Sequence, residues 1–119
     1  MFNLDGLTPY IVESAASKAS TFQSAAVNLM TDDLEDFVLM QQIGAVTGSI
    51  TGKMQDSPDG TTDWQDVTGA TFTQVSSANN VQSLGWKASN TRGYIRYVGT
   101  IATGPAITSV TLLGLKKSR

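Results

Sequence analysis

The sequence contains no cysteine and no histidine. The first absence excludes a disulfide framework and any cysteine-ligated zinc. The second removes His-activated nucleophiles, imidazole metal ligands and the side chain that shuttles protons most readily near neutral pH. Charge is also sparse, with 8 Lys and Arg against 10 Asp and Glu in 119 residues and a net charge of −2. Such a balance supplies no basic stripe for a nucleic-acid backbone, so no nucleic-acid partner is expected. The longest uninterrupted apolar run is Phe37-Val38-Leu39-Met40. That is far short of the ~20 residues of a membrane-spanning helix, and no membrane partner is expected. No apolar leader precedes Lys18, the first cation, so the chain reads as made in a cytoplasm without a secretory signal.

What remains is a chain rich in twelve Ser and fifteen Thr, with nine aromatics and enough aliphatic residues for one core. A single domain follows from the length. Its charge is divided along the chain. Residues 1–66 hold all ten acids with only Lys18 and Lys53, whereas residues 67–119 hold only cations. Two arrangements satisfy this division. The halves pair within one fold, or opposite faces meet in neighbouring copies, where complementarity sets register more than affinity.

Period-2 alternation dominates the pattern. Ala25, Val27 and Leu29 share one face of an expected strand over 21–29, while residues 12–20 are Ala/Ser-rich and ambiguous. Thr31-Asp32-Asp33-Leu34-Glu35 fits a helix start, with Asp32 as N-cap and Glu35 at N3. The run Phe37-Val38-Leu39-Met40 followed by Ile43 instead favours a short acidic turn and then a strand from about Glu35 to Ile43. Ile50, Gly52 and Met54 alternate with Thr51, Lys53 and Gln55, the mark of a half-buried strand. Ser57-Pro58-Asp59-Gly60 is a strong turn: proline presets φ, and glycine supplies the position that needs φ > 0. The next strand carries Trp64 and Val67, so a hairpin is predicted. A break at Gly69, a strand over 71–75 and a strand over 81–87 follow. The clearest strand is Tyr94–Ile101, with Ile95, Tyr97 and Ile101 on one face. The last runs from Ile107 to Leu115 and is apolar on both faces, with Ile107, Leu113 and Leu115 opposite Val110 and Leu112. Seven or eight short strands with regular turns predict an all-β antiparallel β-sandwich or jelly roll over residues 12–119. Residues 1–11 mix Phe2, Leu4, Leu7, Pro9 and Tyr10 without a clean period. They read as an extended apolar N-terminal arm, and these five residues are the candidate partner-binding set.

No enzyme is expected. There is no Gly-x-Ser-x-Gly, no Ser-x-x-Lys and no phosphate-cradling glycine loop, and a serine without a base is not a nucleophile. Asp56, Asp59 and Asp63, with Asp66 nearby, surround one hairpin tip. Oxygen ligands on a tight loop suit Ca²⁺, but the Asp-x-Asp-x-Asp-Gly pattern is not met, so no metal or other cofactor is assigned. Trp64, Trp86, Tyr94 and Tyr97 either form a stacking platform for a sugar or pack in the core or a subunit interface.

The stretch from Gly48 to Val67, with Gln55-Asp56-Ser57-Pro58-Asp59-Gly60 and Trp64-Gln65-Asp66-Val67, is followed by Gly69-Ala70-Thr71-Phe72. Together with Arg92-Gly93-Tyr94-Ile95-Arg96-Tyr97-Val98, it resembles the head decoration (cement) proteins of tailed bacteriophages, over about residues 34–115. The resemblance implies a non-enzymatic protein on the outer surface of the virion. It would bind the major capsid protein and itself, as a homotrimer, and stabilise the mature head. Similar patterns occur in phage tail and neck subunits and in carbohydrate-binding sandwiches, which are the alternatives.

Overall fold

Wherever apolar and polar residues alternate, the chain is extended, and it buries one face of each strand. The computed structural model describes residues 7–31 and 34–116. Its strands are β1 (Leu7–Lys18), β2 (Phe22–Gln23), β3 (Val27–Asn28), β4 (Leu34–Val46), β5 (Ser49–Ser57), β6 (Gln65–Thr71), β7 (Asn80–Lys87), β8 (Tyr94–Thr103) and β9 (Ala106–Lys116). A single 3-10 turn at Ala88–Asn90 separates β7 from β8.

The strands form two antiparallel sheets. The first has the order β1-β9-β4-β7, and the second β2-β8-β5-β6, with β3 also paired to β8. Because β2 and β3 share one partner, they act as a single interrupted strand. The chain then changes sheet at every connection except β2–β3 and the β5–β6 hairpin, which is the jelly-roll path.

The core lies between the sheets. Phe37, Leu39, Val110 and Leu112 from the first sheet meet Met54, Ile95 and Tyr97 from the second in one buried cluster. Ile43, Ile50, Val75 and Ala106 form a smaller one. Gln41 is also fully buried, where its amide oxygen accepts the Tyr97 hydroxyl proton. Gly52 leaves the room for this pair, since a Cβ there would collide with both side chains. Burial pushes the Tyr97 phenol well above its ordinary pKa.

Several expected boundaries move. The predicted strand over 35–43 lengthens to Leu34–Val46, and the ambiguous residues 12–18 belong to β1. The expected strand over 21–29 survives only as β2 and β3, because Ser24 lies between them. Its hydroxyl accepts the Tyr97 backbone N–H in place of a strand carbonyl. The strand β6 does not break at Gly69 but bulges through it, with φ +85 and a register shift against β5. Beyond Thr71 only an isolated Ile50–Val75 bridge remains of the predicted strand over 71–75.

The N-terminal arm needs the largest correction. Residues 7–11 are not an arm but the start of β1, paired from Leu7↔Leu115 to Ile11↔Thr111. β9 is apolar on both faces and sits inside the sheet, so it takes a strand partner on each side. The domain therefore begins by Leu7, and Phe2 and Leu4 lie outside the described residues.

Candidate functional site: the outer face of the first sheet

Side chains in a strand alternate between faces, so register sorts the first sheet into two sets. Thr108, Val110 and Leu112 of β9 point into the core, and Ile107, Leu113 and Leu115 point outward. Paired beside them on the outer face are Val38 with Leu113, Asp36 with Leu115 and Gln42 with Ser109 on β4. On β7, Gly85 lies opposite Val38 and Val81 opposite Gln42. Ile11 of β1 lies opposite Thr111.

Among the described residues six large apolar side chains are exposed, and five of them occupy this face: Ile11, Val81, Ile107, Leu113 and Leu115. Ile11 is 76% exposed and Val81 63%, values that the sandwich core does not account for. Several exposed apolar side chains on one sheet face mark a candidate interaction surface. At the end of the sheet where β1 and β4 begin and β7 and β9 finish, the face deepens. A groove of about 600 Å³ runs there between Val38, Gly85, Lys87, Leu113 and Leu115. Space above Gly85 is open, with nothing within 4 Å of where a Cβ would stand. Among the described residues the rim carries the ion pair of Lys87 Nζ with Asp36 Oδ1 at 3.3 Å.

The five residues expected to bind partners are divided by this geometry. Pro9 is exposed and sits opposite Leu113, beside the apolar face. Leu7 is placed by its pairing with Leu115. Tyr10 instead packs against the main core cluster, because it alternates with Pro9 and Ile11. The residues that dominate the face, Ile11, Val38, Val81, Leu113 and Leu115, were absent from the sequence-based set. The signal for two of them lay in β9, whose pattern is apolar on both faces when one would suffice for a core.

The hairpin aspartates have other work. Asp59 accepts the Thr62 hydroxyl at 2.7 Å and the backbone N–H groups of Thr62 and Thr61 at 2.9 and 3.0 Å. Those bonds, led by the Thr62 hydroxyl, hold its carboxyl well below the usual carboxylate range. Asp56 and Asp63 are bridged by Arg92, whose guanidinium donates to the Asp56 carboxylate at 2.9 Å and the Asp63 carboxylate at 3.0 Å. It also donates to both backbone carbonyls, at 2.6 and 2.8 Å. Among the described residues no three acidic groups stand together as a metal site.

The aromatics separate similarly. Tyr97 is in the core, and Trp86 packs against the core cluster. Trp64 lies on the outer face of the second sheet with the Arg96 guanidinium 4.4 Å from its ring centre. Arg96 donates to Gln55 at 2.9 Å, Gln55 to Asp66 at 2.9 Å, and Lys53 to Asp66 at 3.1 Å. Gln55, followed by Lys53, pulls the Asp66 carboxyl below its ordinary pKa. This row bonds chiefly to itself.

Fold and face together define a jelly-roll protein with one apolar sheet face turned to solvent. Among solved structures, the SPBc2 prophage-derived protein YomS is similar, with a TM-score of 0.65 and 11% identity over 92% of this chain and 93% of that one. The PBSX exported protein XepA superposes with a TM-score of 0.68 and 11% identity. There the whole of this chain corresponds to 40% of the longer protein. The coat protein of Tobacco streak virus aligns at a TM-score of 0.50 and 10% identity over 95% of this chain and 87% of that chain. At these identities the likeness is one of fold. No family model matches the sequence, and no curated protein matches it.

Proposed function

We propose that this chain is a structural protein of a tailed-phage virion, of the accessory capsid (decoration) type. In this reading it is not an enzyme: it binds the major capsid protein on the outside of the mature head, assembles with copies of itself as a trimer, and stabilises the shell. One observation carries the reading: among the described residues, five of the six exposed large apolar side chains lie on the outer face of a single sheet. A face of that kind suits burial against a partner, in this reading a protein of the shell. The shared jelly-roll fold of prophage-derived and coat proteins supports a virion setting. Many copies on one shell add avidity, so each contact can be modest.

Co-sedimentation with expanded shells of the cognate phage tests this. The wild-type protein is expected to pellet with shells, and Leu113→Lys to stay in the supernatant while melting as a folded domain. Light scattering gives the assembly state, where a mass of three chains supports the trimer. Rings of six or more chains that do not pellet with shells would point instead to a tail or neck subunit. Capture on a glycan array that is lost with Trp64→Ala would point to a sugar-binding role.

A further inference from the structure

An open sheet has two edges, and an edge strand presents a row of unpaired N–H and C=O groups. Among the described residues, three of the four edges of this sandwich are blunted. β1 carries Pro9 and two register shifts, between Ile11 and Glu13 and between Glu13 and Ala16. β6 bulges at Gly69 and shifts its register against β5. β2 and β3 are two residues each. The fourth edge, β7, has none of these devices. It pairs with β4 without a break from Lys87↔Asp36 to Asn80↔Ile43. It contains no proline and carries its single charge, Lys87, at the end. The inward side chains show the same opening. Leu84 and Trp86 are only half-buried, whereas Leu39 and Phe37, opposite them on β4, are buried.

We infer that β7 joins two copies of this chain, edge to edge and antiparallel about a two-fold axis at Ser83, so that their first sheets run on as one. An axis normal to the sheet keeps each face on its own side, so outward residues must meet outward residues. With the axis at Ser83, residues 80–86 of both copies pair, and Val81 falls opposite the partner's Gly85. Val81 is 63% exposed, and nothing stands within 4 Å of where a Cβ on Gly85 would be. Each Val81 therefore covers the open space at the border of the other copy's groove, and every contact is made twice. An axis at Gln82 would shorten the ladder to residues 80–84. One at Leu84 would set Val81 against the partner's Lys87, a charge already held by Asp36. The ladder is bounded by Asn79, whose φ is +62, and by the 3-10 turn that follows Lys87. Charge selects a second copy as the occupant. A two-fold axis sets a strand against itself, and like charges directly opposite repel; residues 80–86 carry none. The inference stands apart from the virion reading, since it concerns the protein in solution.

Sedimentation equilibrium on the full chain, from micromolar to millimolar concentration, tests it. The wild-type mass should reach that of two chains, or of six if the three-chain assembly proposed above also forms. Ser83 is exposed, so Ser83→Lys and Ser83→Glu should melt as the wild type does. Each places like charges face to face on the axis and should weaken the pair about fivefold. An equimolar mixture of the two sets Lys against Glu. It should associate at least as tightly as the wild type, and less tightly as salt is raised. Leu113→Lys, on β9 two strands in from the edge, should leave the pair intact.

A wild-type mass of one or three chains at every concentration would overturn the inference. A mixture no more associated than either variant alone would do the same. Loss of the pair in Leu113→Lys would also overturn it, by assigning the contact to the apolar face instead of the edge. Shell binding read in parallel separates failure here from failure of the virion role.

Discussion

Arg92 and Tyr97 show how single side chains hold this fold. Arg92 ties the β5–β6 hairpin to the start of β8 through bonds to Asp56 and Asp63, using the planar fork that lysine lacks. Arg92→Lys should therefore lower the melting temperature nearly as far as Arg92→Ala, and both further than Lys87→Ala, whose ion pair is solvent-exposed. Calorimetry on the three variants checks the order. Tyr97 and Gln41 form a buried polar pair, and the Gln41 amide nitrogen has no partner among the described residues. Tyr97→Phe leaves the Gln41 oxygen unpaired too, and should cost about 1–3 kcal/mol. The double variant Tyr97→Phe, Gln41→Leu removes every unpaired polar atom of the pair and should recover most of that loss, giving a large coupling in a double-mutant cycle on urea unfolding.

β9 is the element on which both core and face depend. It lies between β1 and β4, and its consecutive residues serve opposite purposes. Leu112 is fully buried and Leu113 is exposed. Leu112→Ala should destabilise by about 2–5 kcal/mol through lost contacts and a cavity. Leu113→Ala should change stability by less than about 0.5 kcal/mol, yet weaken shell binding. A parallel measurement of unfolding and co-sedimentation separates the two roles, and equal behaviour of the two variants would refute the assignment of faces. The faces of β9 were readable from its alternation, and so was the β5–β6 hairpin from Ser57-Pro58-Asp59-Gly60. The extent of β1 was not. Its Ala/Ser-rich second half has no hydrophobic period, and only pairing with β9 keeps it extended.

For the whole molecule, the uneven charge of the sequence resolves inside one chain. Among the described residues, three of the five ion pairs join the acidic half to the basic half: Lys87 with Asp36, and Arg92 with both Asp56 and Asp63. The acid limit of stability follows from the hairpin carboxylates. Asp59 and Asp66 titrate below their ordinary values in the fold, so each contributes stability above the unfolded value of about 3.9. That contribution is lost as pH falls through the lower folded value. The melting temperature should be level from about pH 5 to 8 and decline below about pH 4. Asp59→Asn should flatten that decline and lower the plateau. A decline that begins above pH 5 would show that other groups govern it.

Composition and pattern alone determined that the chain is a cysteine-free β-domain with alternating strands and a Pro-Asp-Gly hairpin, because alternation and turn chemistry are local. They also placed apolar residues on both sides of the last strand. The sheet order decided the remainder. By setting β1 and β4 on either side of β9, it turned part of the supposed arm into an edge strand and buried Tyr10 against the core. It also gathered Ile11, Val81, Ile107, Leu113 and Leu115 from three strands onto one face. Such a face arises from pairing between residues a hundred positions apart and more, as in Ile11↔Thr111 and Leu7↔Leu115, and no local pattern encodes a pairing at that range.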